Sequence, residues 1–216
     1  MTRVYVLVEG QTEEAFINEL MLEHYAHQQL YLYPVIVTTS PGHRGGVVSY
    51  AKVRPQIERL CKQHPTAWVT TMFDLYALPA DFPGKSNGKY PALPSGRDKA
   101  EFLEMALSKD IAQANYIPNL LVHEFEALLF SRVSAFEEWT DNDDVLKPLR
   151  TISAITAPED INDSPATAPS KRILAAMTDY QKTVHGPLIA CAIGLDAIRA
   201  ACPHFDAWLN KIEDLS

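Results

Sequence analysis

The sequence predicts an α/β protein: a mainly parallel sheet with helices on both faces, followed by a C-terminal helical segment. Short β-branched apolar runs alternate with stretches of helical spacing, the pattern of βαβ units. The first run, Arg3 to Val8 (R-V-Y-V-L-V), is apolar almost throughout, as expected of a central strand covered on both faces. After residue 135 helical spacing dominates, so residues 1–135 read as the core and 136–216 as a helical extension packed on it, within one or two domains.

Each element has its own signal. Glu9-Gly10-Gln11-Thr12-Glu13-Glu14 supplies a turn glycine, Thr12 as a helix N-cap and acids for the first turn, so a helix is expected from Glu13 to Gln29. Tyr31 to Thr39 is a second strand, and Pro41-Gly42-His43-Arg44-Gly45-Gly46 is a loop. Val53, Ile57, Leu60 and Cys61 give helical spacing to Val48–His64, and W-V-T-T-M-F at Trp68–Phe73 is a third strand ending at Asp74. Pro79, Pro83, Pro91 and Pro94 make Leu78–Arg97 a long surface loop. A helix over Asp98–Ala114, a fourth strand over Ile117–Val122 and the start of a helix over Glu124–Phe130 follow. Asp141–Ala168, polar and proline-containing, is a mobile connection or a small subdomain. Helices are expected over Ser170–Val184, with Ser170 as N-cap, and over Leu188–Ala201 and Phe205–Ile212.

Composition narrows the function. The chain has 216 residues, 47% apolar and 21% charged, and its 19 Lys+Arg against 27 Asp+Glu leave a net charge of −8. Such a surface does not coat duplex nucleic acid unspecifically, although a local basic patch stays open. Apolar runs are far shorter than the roughly 18 residues of a membrane span. Cys61, Cys191 and Cys202 form no Cys-x-x-Cys pair, which fits free thiols in a cytoplasmic protein. There is no Gly-x-Ser-x-Gly elbow, Walker loop or Gly-x-Gly-x-x-Gly fingerprint, and no His/Cys spacing for zinc.

In parallel sheets the reactive groups lie beyond the carboxyl ends of the strands. That rule selects Glu9, Asp74 and the His123-Glu124-Phe125-Glu126 turn. Carboxylates gathered at one edge repel unless a cation or protons neutralise them, and hard oxygen ligands choose Mg²⁺ or Mn²⁺. Glu124 and Glu126 on a helix would point about 200° apart, so only one faces an ion, and Glu124 is the nearer to the strand end. Each residue also has a plainer use. Glu9 suits the positive end of a helix, Asp74 and Asp81 suit turns, and His123 suits a hydrogen-bonded place near the core. Arg44, in its glycine-rich loop, is a candidate phosphate contact, as are Lys171 and Arg172 at a helix start with Lys182 one helix-length later; a solvated helix face explains the latter group nearly as well.

V-E-G-Q-T-E-E at Val8–Glu14, M-F-D-L-Y-A-L-P-A-D-F-P-G at Met72–Gly84, H-E-F-E-A-L-L-F at His123–Phe130, P-S-K-R at Pro169–Arg172 and I-G-L-D-A-I-R-A-A-C-P-H-F-D-A-W-L at Ile193–Leu209 occur in this order. Together they closely resemble the bacterial family known as domain of unknown function 4276. That family in turn looks like a branch of the Toprim-like proteins, a Rossmann-like fold shared by topoisomerases, primases and the overcoming-lysogenization-defect nucleases. The resemblance implies that Glu9 is the catalytic glutamate and Asp74 the main Mg²⁺ (or Mn²⁺) ligand; Glu124 and Glu126, selected by the strand-end rule, are the further candidate ligands. The Asp-x-Asp of those relatives reads Asp74-Leu75-Tyr76 here, so Tyr76 stands where a second acid is expected and Glu13, Asp81 and His123 are supplementary candidates. It implies a metal-dependent nuclease or phosphoryl hydrolase acting on nucleic acid beside a partner ATPase in a mobile-element or phage-defence setting. The alternative is a non-catalytic subunit of an ATPase system. Oligomeric state is left open.

Overall fold

The computed structural model describes residues 1–40, 43–44, 49–76, 78–161 and 166–215, with backbone alone at 39–40 and 43–44. In chain order, β1 (Thr2–Val8) leads to α1 (Gln11–Phe16), which passes through a π-helical turn (Ile17–Met21) into α2 (Leu22–Ala26) and then β2 (Leu30–Ile36). The short antiparallel pair β3 (Thr38–Ser40) and β4 (His43–Arg44) precedes α3 (Tyr50–Gln63) and β5 (Trp68–Asp74). After an irregular stretch come α4 (Gly96–Ile111), β6 (Tyr116–Ile117), β7 (Leu120–Leu121) and the 3-10 turns Phe125–Ser131 and Val133–Glu138. The C-terminal part holds α5 (Asp143–Ser153), α6 (Pro169–Ala176), α7 (Lys182–Ile193), α8 (Leu195–Ala201) and α9 (Pro203–Glu213).

The main sheet has the order β2-β1-β5-β6, with β7 also pairing β5, and every one of these pairs is parallel. The expected α/β architecture is therefore present. Alternation along the strands splits the interior in two. Val4, Val6, Val8 and Met72 face a large apolar cluster shared with Phe16, Phe125, Ile189, Trp208 and Ile212, whereas Leu7, Val69 and Phe73 face a second one with Ile57, Leu103 and Leu107. Burying each such aliphatic side chain contributes about 1.5–3 kcal/mol. The C-terminal helices share the first cluster with β1, and the Trp208 indole donates to Thr70 Oγ1 on β5 at 2.9 Å.

Several element expectations need correction. The first helix starts at Gln11, because extended Gly10 is its N-cap and Glu13 reaches back to the Gly10 N–H at 2.8 Å, while Thr12 is buried inside the helix. The fourth strand is two short strands broken at Pro118, which has no N–H for the ladder. Across the break Thr71 Oγ1 donates to the Asn119 carbonyl and Asn119 Nδ2 to the Thr71 carbonyl, at 2.8 and 3.0 Å. The stretch after β5 is irregular but not merely surface: Leu78 and Phe82 enter the core, and Tyr90 Oη donates to the Leu75 carbonyl at 2.5 Å and accepts from Leu78 N at 3.1 Å. In the expected loop at 41–46, His43 and Arg44 form β4, and residues 41–42 and 45–46 lie outside the described residues. The polar connection holds α5, with residues 162–165 outside the described residues. The single helix expected over Ser170–Val184 is two: α6 has Pro169 in its first turn, and extended Met177 ends it before α7 begins at Lys182. Among the described residues no single helix is long and apolar enough to cross a membrane.

Candidate functional site

β1 has β2 on one side and β5 on the other, so the strand order reverses between β1 and β5. That switch point is where open α/β sheets leave a crevice beyond their carboxyl ends. Glu9 is the residue after β1 and Asp74 the last of β5, so the two flank it. They touch: Glu9 Oε1 accepts from the Asp74 backbone N–H at 2.8 Å.

Further acids gather around this pair, and most of them have one oxygen held by a backbone N–H. Asp74 Oδ1 accepts from Phe125 N at 2.9 Å, Glu13 Oε2 from Gly10 N at 2.8 Å, and Glu124 Oε1 from Ser170 N at 2.6 Å. Such bonds fix the carboxylate plane and so aim the second oxygen. Glu126 is fully buried, and its Oε1 lies 3.5 Å from the Tyr180 hydroxyl. Its Oε2 meets the ammonium of Lys182 at 3.0 Å, and the same Nζ stands 3.8 Å from Asp74 Oδ2. Those two oxygens are thus no farther apart than the two distances laid end to end.

The electrostatics follow from this crowding. Burial, then the neighbouring Glu9, Glu13 and Glu126, push the Asp74 carboxyl well above its ordinary range, with Lys182 acting the other way. Burial likewise raises Glu13 and Glu126 against the pull of Lys182. Burial alone would discharge Lys182, yet Asp74, Glu126 and Glu13 more than reverse that and hold it protonated. Burial, reinforced by Glu126, keeps Tyr180 a phenol. Among the described residues the site is a cluster of acids with one built-in ammonium, and hard oxygens held this way suit a hard divalent cation better than a soft metal. Among the described residues no three His, Cys, Asp or Glu side chains form a ready metal-binding set. The ammonium stands between two of the oxygens a cation would use.

The expected residues have different partners, and several lie outside the cluster. Glu124 is extended and lies ahead of the 3-10 turn, so it caps α6, and Glu126 is the acid that faces Lys182. Asp81 does not join Asp74: Oδ1 accepts from Tyr50 N at 2.9 Å, Oδ2 from Ala51 N at 3.0 Å and from Ser49 Oγ at 2.9 Å, capping α3. Against a small burial penalty these N–H groups hold its carboxyl below the usual range. Tyr76 is half-buried and its backbone N–H donates to the His123 carbonyl at 2.7 Å. His123 is buried with φ +65°, left-handed backbone at the strand end. Its ring packs on Gly96, where a Cβ would fall 2.7 Å from His123 Cε1, so the α4 start needs glycine there. Lys171 and Arg172 line a separate groove of about 350 Å³ with Leu149 and Ile152, and Arg172 Nε donates to the Thr167 carbonyl at 2.7 Å. The Arg44 side chain lies outside the described residues.

The sequence groups Lys182 with Lys171 and Arg172, as a phosphate contact or part of a solvated helix face, and gives no sign of Tyr180. No local signal marked Lys182 as the head of a helix: Pro187 is the sixth residue of α7, whereas proline favours the first helical position, so the start rule points to 187 and not to 182. Gly186 matters for packing. A Cβ there would sit 3.1 Å from Tyr180 Oη, 3.2 Å from Phe125 and 3.4 Å from Thr12, so glycine lets α7 approach α1 and the site.

No curated protein matches the sequence. Among solved structures, the chain is similar to the C-terminal region of the Burkholderia pseudomallei OLD protein, with a TM-score of 0.52 at 15% identity, covering 100% of this chain and 98% of that one. At that identity the likeness is one of fold. Residues 8–213 match the family described as Domain of unknown function (DUF4276), and the chain belongs to that family.

Proposed function

We propose that this protein is a Toprim-like, Mg²⁺-dependent nuclease or phosphodiester/phosphoryl hydrolase, acting in the cytoplasm beside a partner ATPase in a mobile-element or phage-defence setting. The observation that carries this reading is that, at the switch point of a parallel sheet, Glu9 bonds the Asp74 amide while the Lys182 ammonium bridges Asp74 to Glu126. The fold likeness to the C-terminal region of an OLD protein supports it, since the overcoming-lysogenization-defect nucleases are among the relatives the sequence motifs resemble.

Glu9, Asp74 and Glu126 would hold the cation, with Glu13 and Glu124 at its margin. A bound Mg²⁺ supplies Lewis-acid polarisation of a phosphoryl oxygen and an acidified water. The protein's own part is orientation. The Asp74 and Phe125 amides fix the carboxylates of Glu9 and Asp74, Tyr180 holds Glu126, and the buried surroundings strengthen each of these interactions. A chain of net charge −8 with an acidic crevice repels a polyanion, so a bridging cation is a requirement for substrate entry.

The test is cleavage of plasmid, single-stranded DNA and RNA with and without Mg²⁺ or Mn²⁺. Metal-dependent products from the wild type and none from the Glu9→Gln/Asp74→Asn double variant are expected; equal activity of the two defeats the reading. A second reading, a non-catalytic subunit of an ATPase system, draws on Tyr76 in place of an acid and on Lys182 already partly neutralising the cluster. It predicts no divalent-ion binding at this edge in calorimetry.

A further inference from the structure

We propose that Lys182 is a resident counter-ion that gives up its place between Asp74 and Glu126 when a divalent cation enters, an inference that rests on the cation-dependent reading above. The geometry distinguishes the groups that can move from those that cannot. Asp74 is held through Oδ1 by the Phe125 amide, Glu9 through Oε1 by the Asp74 amide, and Glu126 is wholly buried beside Tyr180. Lys182 is the first residue of α7, with its side chain 42% exposed on a flexible four-carbon stem. The α7 backbone stays, since Gly186 packs it against Thr12, Phe125 and Tyr180. A dication bound to Asp74 Oδ2 or Glu126 Oε2 lies close to the ammonium now 3.8 and 3.0 Å from those atoms, and like charges at that range in a poorly solvated site repel strongly. The flexible partner leaves. Its ammonium then stands at the mouth of the crevice, where a phosphate oxygen would approach, so the order of binding is cation first and anionic substrate second.

The test is acylation of the wild-type protein with N-hydroxysuccinimide acetate, read at each lysine by mass spectrometry, without Mg²⁺ and at a concentration shown by calorimetry to saturate it. Lys109 and Lys211, both exposed, serve as references. The proposal expects modification of Lys182 to accelerate at least tenfold with Mg²⁺ while the references stay unchanged. Saturable Mg²⁺ binding with no change at Lys182 overturns the inference and leaves the functional reading standing; absence of Mg²⁺ binding overturns both. An independent measurement is Mg²⁺ affinity of Lys182→Met, which lacks the competing charge. It should rise about tenfold, and weaker binding than wild type contradicts the proposal.

Discussion

Replacing Lys182 with methionine in the metal-free protein keeps the length of the stem and removes the charge. Glu126 is then fully buried with no cation at 3.0 Å, and Asp74 loses one at 3.8 Å. Breaking a wholly buried ion pair from one side costs about 3–5 kcal/mol. Two features reduce that here. The lysine side chain is 42% exposed, so its loss is partly screened by solvent, and Glu126 can escape by taking a proton, which burial already favours. A cost of about 1–3 kcal/mol at pH 7.5 remains, which for a domain of this size lowers the melting temperature by roughly 2–10 °C. The raised carboxyls set the sign with pH. A group whose folded pKa lies above its unfolded value stabilises fully below the unfolded value and loses that contribution as pH rises through the folded one. The deficit of Lys182→Met should therefore shrink as pH is lowered from 7.5 to 5.5. Scanning fluorimetry of both proteins across that range is the assay. A melting temperature unchanged within 1 °C at pH 7.5, or a deficit that grows on acidification, would refute the idea that Lys182 neutralises buried acids.

Other perturbations test the remaining assignments. Asp81→Ala removes the cap of α3 and should cost about 1–2 kcal/mol by denaturant unfolding while leaving divalent-ion binding by calorimetry unaltered; a loss of binding would return Asp81 to the site. Gly96→Ala drives a methyl into the His123 ring and should cost about 1–3 kcal/mol, and a neutral melting temperature would show that the α4 start tolerates a side chain. Away from the site, burial tends to discharge His204, but its 2.8 Å bond to Glu104 wins and raises its pKa. Its contribution is complete below about 6.5, the ordinary histidine value, and fades as pH rises through the raised one. The stability gap between wild type and His204→Gln should thus be wider at pH 6 than at pH 9, and a gap that widens with pH would contradict the pairing.

How far the site was legible in the sequence depends on the range of the interactions that build it. Glu9 could be placed because the run before it is apolar on both faces, which marks a central parallel strand, and Asp74 because it ends the third β-rich run; the carboxyl end of a strand in a parallel sheet is a position set by topology. The capping of α3 by Asp81 spans 30 residues or more and leaves no local pattern, so the sequence marks Asp81 as a turn residue or supplementary acid and does not show the helix it caps. Lys182 was hidden by a periodicity that runs on through Met177–Gln181 without glycine or proline, although the chain there turns extended and starts a new helix. Glu124 and Glu126 take different partners, Ser170 for the one and Tyr180 and Lys182 for the other, because Glu124 is extended ahead of a 3-10 turn, a change of backbone state that spacing cannot register.

The most direct measurement is a crystal of the wild-type protein soaked with Mn²⁺ and examined by anomalous scattering. The account predicts an ion within about 2.5 Å of a carboxylate oxygen of both Glu9 and Asp74, as coordination of a hard cation demands. A saturated crystal whose only anomalous peaks lie elsewhere on the molecule would contradict it.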